Sequence, residues 1–195
     1  MVVFIKLHLY ICSMLEKEIK ILEVDTFTAV KKLLEFWAEN TFDGNIIDTY
    51  YDFEQRAHKK YEEAQKIYRL RQKWAKSIYT VKDKKTQESI DQGVTIKEEI
   101  ETGVEDPEKF AKILTMQWMI PIRKKQKHRI SFQIDDVAFD FDTYEWIPTC
   151  LEIEWPDSET IFHWVEKLFL HKKEQLVGWS RVLFHRYNKP YTYCN

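Results

Sequence analysis

The sequence predicts an α+β fold in which strands carry charge along one face and amphipathic helices cover the other. Three observations lead there. Strand-like runs alternate apolar and polar residues with period two, and helix-like runs with apolar spacings of three and four lie between them. The alternating polar residues are mostly acids and bases, with their signs sorted run by run. Only four glycines and five prolines are present, with no repeat or low-complexity tract, so residues 14–195 read as one domain.

The elements follow in order. A strand is expected over Leu15–Val24, where Glu16, Glu18 and Lys20 share one face and Ile19 and Ile21 the other. A helix is expected over Thr26–Ala38, then a strand over Thr49–Phe53. Glu54–Gln65 reads as a helix, with a long polar loop as the alternative. The strand Ile67–Lys73 sets Arg69 and Arg71 opposite Tyr68 and Leu70. In Ile78–Lys82, Lys82 is in phase with Thr80. In Val94–Thr102, Glu99 and Glu101 flank Ile100. Asp106 and Pro107 suit the start of a helix over Pro107–Trp118, because aspartate caps free amides and proline fits the first turn. Strands are expected over His128–Ile134 and Val137–Asp142, joined by a turn with two aspartates. Lys127 and Arg129 share a face of the first, and Asp140 and Asp142 a face of the second. Cys150–Trp155 sets Glu152 and Glu154 against Leu151 and Ile153. Ser158 is the expected cap of a helix over Glu159–Leu170, and a last helix lies near Gly178–Arg186.

One-sided charge has two readings. It is how any half-exposed antiparallel strand looks. It also fits a sheet closed into a tunnel, polar face inward, with helices outside. Acids gather on the first and last strands and bases on the middle ones. Lysine and arginine would neutralise a polyphosphate, and carboxylates beside them make sense if a hard divalent cation lies between.

Composition narrows the function. Of 195 residues, 44% are apolar and 32% charged, yet the net charge is −2, which lacks the basic excess expected of a protein that binds nucleic acid duplexes or membranes. Cys12, Cys150 and Cys194 form no C-x-x-C pair, so a reducing cytoplasm is expected. Residues 1–13 are apolar but too short to span a membrane and read as an N-terminal extension. The six histidines show no ligand spacing, and there is neither a Ser–His–Asp pattern nor a glycine-rich phosphate loop. The seven tryptophans are expected mostly in packing roles, with Trp74 and Trp146 as alternatives for a tunnel mouth.

These motifs together resemble the CYTH domain of the triphosphate tunnel metalloenzymes. Glu16-Lys17-Glu18-Ile19-Lys20 is similar to the opening E-x-E-x-K of that family. Asp48-Thr49-Tyr50-Tyr51-Asp52, Arg69-Leu70-Arg71, Thr80-Val81-Lys82, Glu99-Ile100-Glu101, Lys127-His128-Arg129, and Asp142 followed by Glu152-Ile153-Glu154 continue its order from about Met14 to the C-terminus. Thr143–Pro148 departs from it, with proline where the family often has glycine. The resemblance implies an antiparallel eight-stranded β-barrel tunnel with helices packed outside. It also implies Mg²⁺ or Mn²⁺ held by Glu16, Glu18, Asp142, Glu152 and Glu154. A small-molecule triphosphate would be held by Lys20, Arg69, Arg71, Lys82, Lys127 and Arg129, with Lys20, Arg69 and Arg71 in the catalytic role. Glu99 and Glu101 would orient bases or touch metal. The implied reaction is hydrolysis of inorganic triphosphate, a nucleoside triphosphate or thiamine triphosphate. The alternatives are cyclisation of ATP to cyclic AMP and a non-catalytic polyphosphate-binding module.

Overall fold

The computed structural model describes residues 13–56, 66–84 and 86–190. Among them the chain forms β1 (Ser13–Ile21), α1 (Thr26–Glu35), β2 (Glu39–Phe53), β3 (Lys66–Lys73), β4 (Lys76–Lys84), α2 (Thr86–Gln92), β5 (Thr95–Val104), α3 (Pro107–Met116), β6 (Met119–Ile134), β7 (Val137–Tyr144), β8 (Ile147–Glu154), α4 (Ser158–Lys167), β9 (Gln175–Leu176) and α5 (Ser180–Arg186). All strand pairings are antiparallel, in the order β5-β4-β3-β2-β6-β7-β8-β1, and β1 also pairs with β5. That last pairing closes eight strands into a barrel and leaves no open edge among them. The short β9 adds to β1 beside the closure, at Lys20↔Leu176 and Ile21↔Gln175.

The apolar cores lie outside this barrel. Alternation sends Ile19, Ile21, Phe139, Phe141, Leu151 and Ile153 outward, all at most 1% exposed. There they meet Leu33 of α1 and Ile161, Trp164 and Val165 of α4. Phe139 and Trp164 pack edge to face with centroids 5.1 Å apart, a favoured aromatic geometry. A second cluster sets Leu183 and Phe184 of α5 against Tyr144, Ile147 and Cys150, and a third sets Leu114 of α3 against Tyr51, Leu70 and Met119.

Aspartates start the helices. Asp25 accepts from the Phe27 amide at 3.2 Å, and Asp106 from the Lys109 amide at 2.9 Å. The fourth helix corrects the expectation of a Ser158 cap. Asp157 is the cap and accepts from Glu159 and Thr160 at 3.0 and 2.9 Å. Ser158 is the first helical residue, and its hydroxyl instead meets Gln92 and Lys17.

Other boundaries also move. β1 ends at Ile21 rather than Val24, where the chain bends and Glu23 takes φ +54°. β2 and β6 run to 15 and 16 residues, far longer than expected, because they pair along almost their whole length from Glu39↔Gln133 to Phe53↔Met119. A bulge at Tyr50/Tyr51 admits Pro121, which has no amide to donate. The expected helix over Glu54–Gln65 begins as a turn at Glu54–Arg56, and its remainder lies outside the described residues. The tryptophans are mostly not core. Trp37, Trp74, Trp118 and Trp146 are 64–90% exposed, and Trp164 is buried. Trp74 sits against Phe42, centroids 4.6 Å apart, beside a second, more open cavity outside the tunnel.

Candidate active site

The inside of the barrel is a charged cavity enclosing about 860 Å³, open solvent at its mouths included. Eight acidic and eight basic side chains line it, so the fully ionised lining carries no net charge. The signs are separated by strand. β8, β1 and β5 are neighbours and carry Glu152 and Glu154, Glu16 and Glu18, and Glu99 and Glu101. Across the tunnel β3 carries Arg69 and Arg71, and β6 carries Lys125, Lys127 and Arg129. Lys82 of β4 and Asp140 of β7 stand at the two seams.

The basic wall is held from behind by carboxylates. Arg71 donates to both oxygens of Asp48, at 2.7 and 2.9 Å, a bidentate grip that holds the carboxyl well below its usual range despite burial. Arg129 donates to Asp142 at 2.5 and 2.6 Å, to Glu152 at 2.6 Å, and to Asp140. Lys127 also donates to Asp142. Lys125 donates to the Ser180 hydroxyl at 2.7 Å. Burial, reinforced by Arg123, Arg71 and Arg69 and opposed by Asp48, pushes the Lys125 ammonium down to about 7. Arg123, 1% exposed, lies 3.9 Å from the Tyr50 ring centre.

The acidic wall is threaded with lysines. Lys20 pairs with Glu18 and lies 3.2 Å from Glu152. Lys82 pairs with Glu99, and Lys97 reaches Glu18 at 2.8 Å. Burial works against ionisation of Glu18, but Lys20 and Lys97 outweigh it and bring the carboxyl to about 2. For Glu16 the balance is reversed. Burial, with the charges of Glu154 and Glu99, prevails over Lys97 and raises it to about 7. Burial also raises Glu154, aided by Glu18.

The raised Glu16 has a measurable consequence. Below about pH 4.5 this carboxyl is neutral in both folded and unfolded chains. Between 4.5 and 7 only the unfolded chain ionises, so stability falls as pH rises and the deficit is complete above 7. Glu16→Gln should therefore stabilise the metal-free protein by on the order of 1–2 kcal/mol at pH 8 and by nothing near pH 4. Urea unfolding at both pH values checks this. An equal effect at both would show that the carboxyl is not held neutral.

Every residue expected in the site lines this cavity except Asp142. That side chain is fully buried behind the wall, under Lys127 and Arg129. The alternation also carried unclaimed members. Lys97 is in phase with Glu99 and Glu101, and Lys125 with Lys127 and Arg129. Asp48 and Tyr50 share the inward face of β2, while Trp179 and Ser180 reach the cavity from the start of α5.

The donor chemistry suits a hard divalent cation, since Glu16, Glu18, Glu152 and Glu154 offer only oxygen and stand on adjacent strands. Among the described residues, however, no three His, Cys, Asp or Glu side chains are already posed around a metal position. Their oxygens point at ammonium groups instead. Also among the described residues, no helix is long and apolar enough to cross a membrane.

The comparisons agree with this fold. The chain belongs to the CYTH domain family, whose model matches residues 14–180. A protein of Vibrio parahaemolyticus, described as a candidate adenylate cyclase, superposes with a TM-score of 0.69 at 15% identity, covering 88% of this chain and 99% of its own. A protein of Pyrococcus horikoshii OT3 gives 0.66 at 20% identity, with 88% and 99% covered. A candidate adenylyl cyclase of Hippeastrum, reported with a dominant triphosphatase activity, gives 0.59 at 13% identity, with 90% and 96% covered. No curated protein sequence matches the chain.

Proposed function

We propose that the protein is a divalent-metal-dependent hydrolase of a triphosphate compound. One observation carries the reading: opposed walls of opposite sign enclose a cavity lined by equal numbers of acidic and basic side chains. A triphosphate bears about three to four negative charges at neutral pH, which arginine and lysine are suited to grip. With the lining already balanced, such an anion is best accommodated together with a cation on the carboxylate side. The triphosphatase activity of the Hippeastrum protein agrees with this reading.

Arg69, Arg71, Lys125, Lys127 and Arg129 would bind the phosphate oxygens, with Asp48 fixing the angle of Arg71. Lys20 would face the phosphate chain from the opposite wall, between Glu18 and Glu152. Glu16, Glu18, Glu152 and Glu154 would hold Mg²⁺ or Mn²⁺. Such an ion, when bound, neutralises phosphate charge and polarises the bond to the leaving group. Lys20, Arg69 and Arg71 would stabilise the charge that develops on the terminal phosphate, in a bore that limits water and keeps those interactions strong.

The test is incubation of the purified protein with inorganic triphosphate or ATP, with and without Mg²⁺ or Mn²⁺, and separation of the products. Metal-dependent phosphate release is expected, and the faster substrate indicates the natural class. Cyclic AMP and pyrophosphate from ATP would replace hydrolysis with cyclisation. Binding of both compounds without turnover would favour a polyphosphate-binding module.

A further inference from the structure

We propose that Lys97 is a tethered counter-cation that holds the metal's place among three of its proposed ligands, Glu16, Glu18 and Glu154, with Glu99 as its fourth partner, so that a divalent ion enters by displacing its ammonium group. The inference rests on the metal-dependent reading above and adds to it a residue that regulates metal entry.

The geometry is that of a cation site already filled. Lys97 Nζ lies 2.8 Å from Glu18, 3.0 Å from Glu99, 3.2 Å from Glu16 and 3.5 Å from Glu154. The residue is 4% exposed. An ammonium has three hydrogens to give, so four carboxylates cannot all be satisfied at once. The contacts to Glu16 and Glu154 are the longer ones, and those two groups are the more accessible. A hard divalent ion takes oxygens at about 2.0–2.6 Å and carries twice the charge, so the same carboxylates would close further around it than around Lys97.

The lysine belongs to the wall it neutralises. It projects from β5, in phase with Glu99 and Glu101, rather than from the basic strands opposite. Lys20 and Lys82 are engaged beside it, with Glu18 and Glu152 and with Glu99. Once displaced, the Lys97 ammonium has one polar destination, the bore itself, where phosphate oxygens would accept its hydrogens. Lys97 would thus hold the acidic strands together in the empty tunnel and serve as a phosphate ligand in the loaded one.

Mn²⁺ binding measured by electron paramagnetic resonance, without any phosphate compound, tests this on the full chain. Lys97→Met should bind Mn²⁺ at least about tenfold more tightly than the unsubstituted protein, because the competitor is gone. Lys97→Arg keeps a permanent charge with a fork that can grip two carboxylates, and should bind Mn²⁺ about tenfold more weakly. If Lys97→Met does not fold, Lys97→Arg decides alone: weaker binding supports the proposal, and equal or tighter binding overturns it. Equal affinity in all three proteins would overturn the role of Lys97 and leave the metal reading standing. Absence of Mn²⁺ binding in all three would overturn both.

Discussion

Glu154→Ala and Glu18→Ala should each lower turnover of a triphosphate by about 10²–10³-fold or more, while triphosphate still binds measurably in the absence of metal. The two acids face each other across the β1–β8 ladder, paired at Glu18↔Glu154. Neither touches the arginines of the opposite wall, so phosphate affinity should survive their loss. Steady-state kinetics with Mg²⁺, set beside triphosphate binding in EDTA, separates the effects. Unchanged turnover in both variants would defeat the metal assignment. Glu18 is the harder case because it also pairs with Lys20 and Lys97. Its thermal midpoint should be measured first, so that a folding defect is not read as a catalytic one.

The second large effect is on stability. Asp142→Ala should destabilise the protein by about 3–5 kcal/mol, because it removes the carboxylate paired with Lys127 and two of the hydrogen bonds of Arg129 in a buried setting. Asp142 is fully buried, and both of its oxygens accept from Arg129. A urea midpoint close to that of the unsubstituted protein would show that the pairing contributes little. The milder Asp142→Asn addresses its role. If Asp142 positions the two bases, Mn²⁺ affinity should hold while triphosphate affinity without metal falls. If Asp142 is itself a metal ligand, Mn²⁺ affinity should fall.

Much of this site was legible because charge and period coincide. In Glu18–Lys20 and Glu152–Glu154, the ionic residues are separated by an isoleucine, so the two faces separate by eye. The same rule reaches Lys97 and Lys125 once Glu99 and Lys127 are placed inward. Locally both are obscured, because their flanks, Glu98 and Lys124, are charged too and blur the alternation. The first half of β2, with Asn40, Gly44 and Asn45, and the first half of β6, with Pro121 and a run of bases, look like loops locally. They become strands because each pairs with the second half of the other strand, which alternates plainly, a tertiary effect that overrides local preference. α2 has little apolar periodicity, and its Ile90 is 66% exposed, so no helical signal was available. The depth of Asp142 was hidden for a different reason. Alternation tells which face a side chain takes, but not whether neighbouring bases cover it.

The position of β1 also governs the order of assembly. The strand β1 is flanked by β5 and β8, so it cannot find both neighbours until almost the whole domain has left the ribosome. Such distant pairings favour slow maturation. Until β8 docks, Glu16, Glu18 and Lys20 remain in water, where separate charges are well tolerated. Their dehydration comes only at ring closure, when the partnering ions are already in place. A nascent chain truncated before β8 would lack that closure, and its outward-facing isoleucines would offer a sticky edge to chaperones and to other copies of itself.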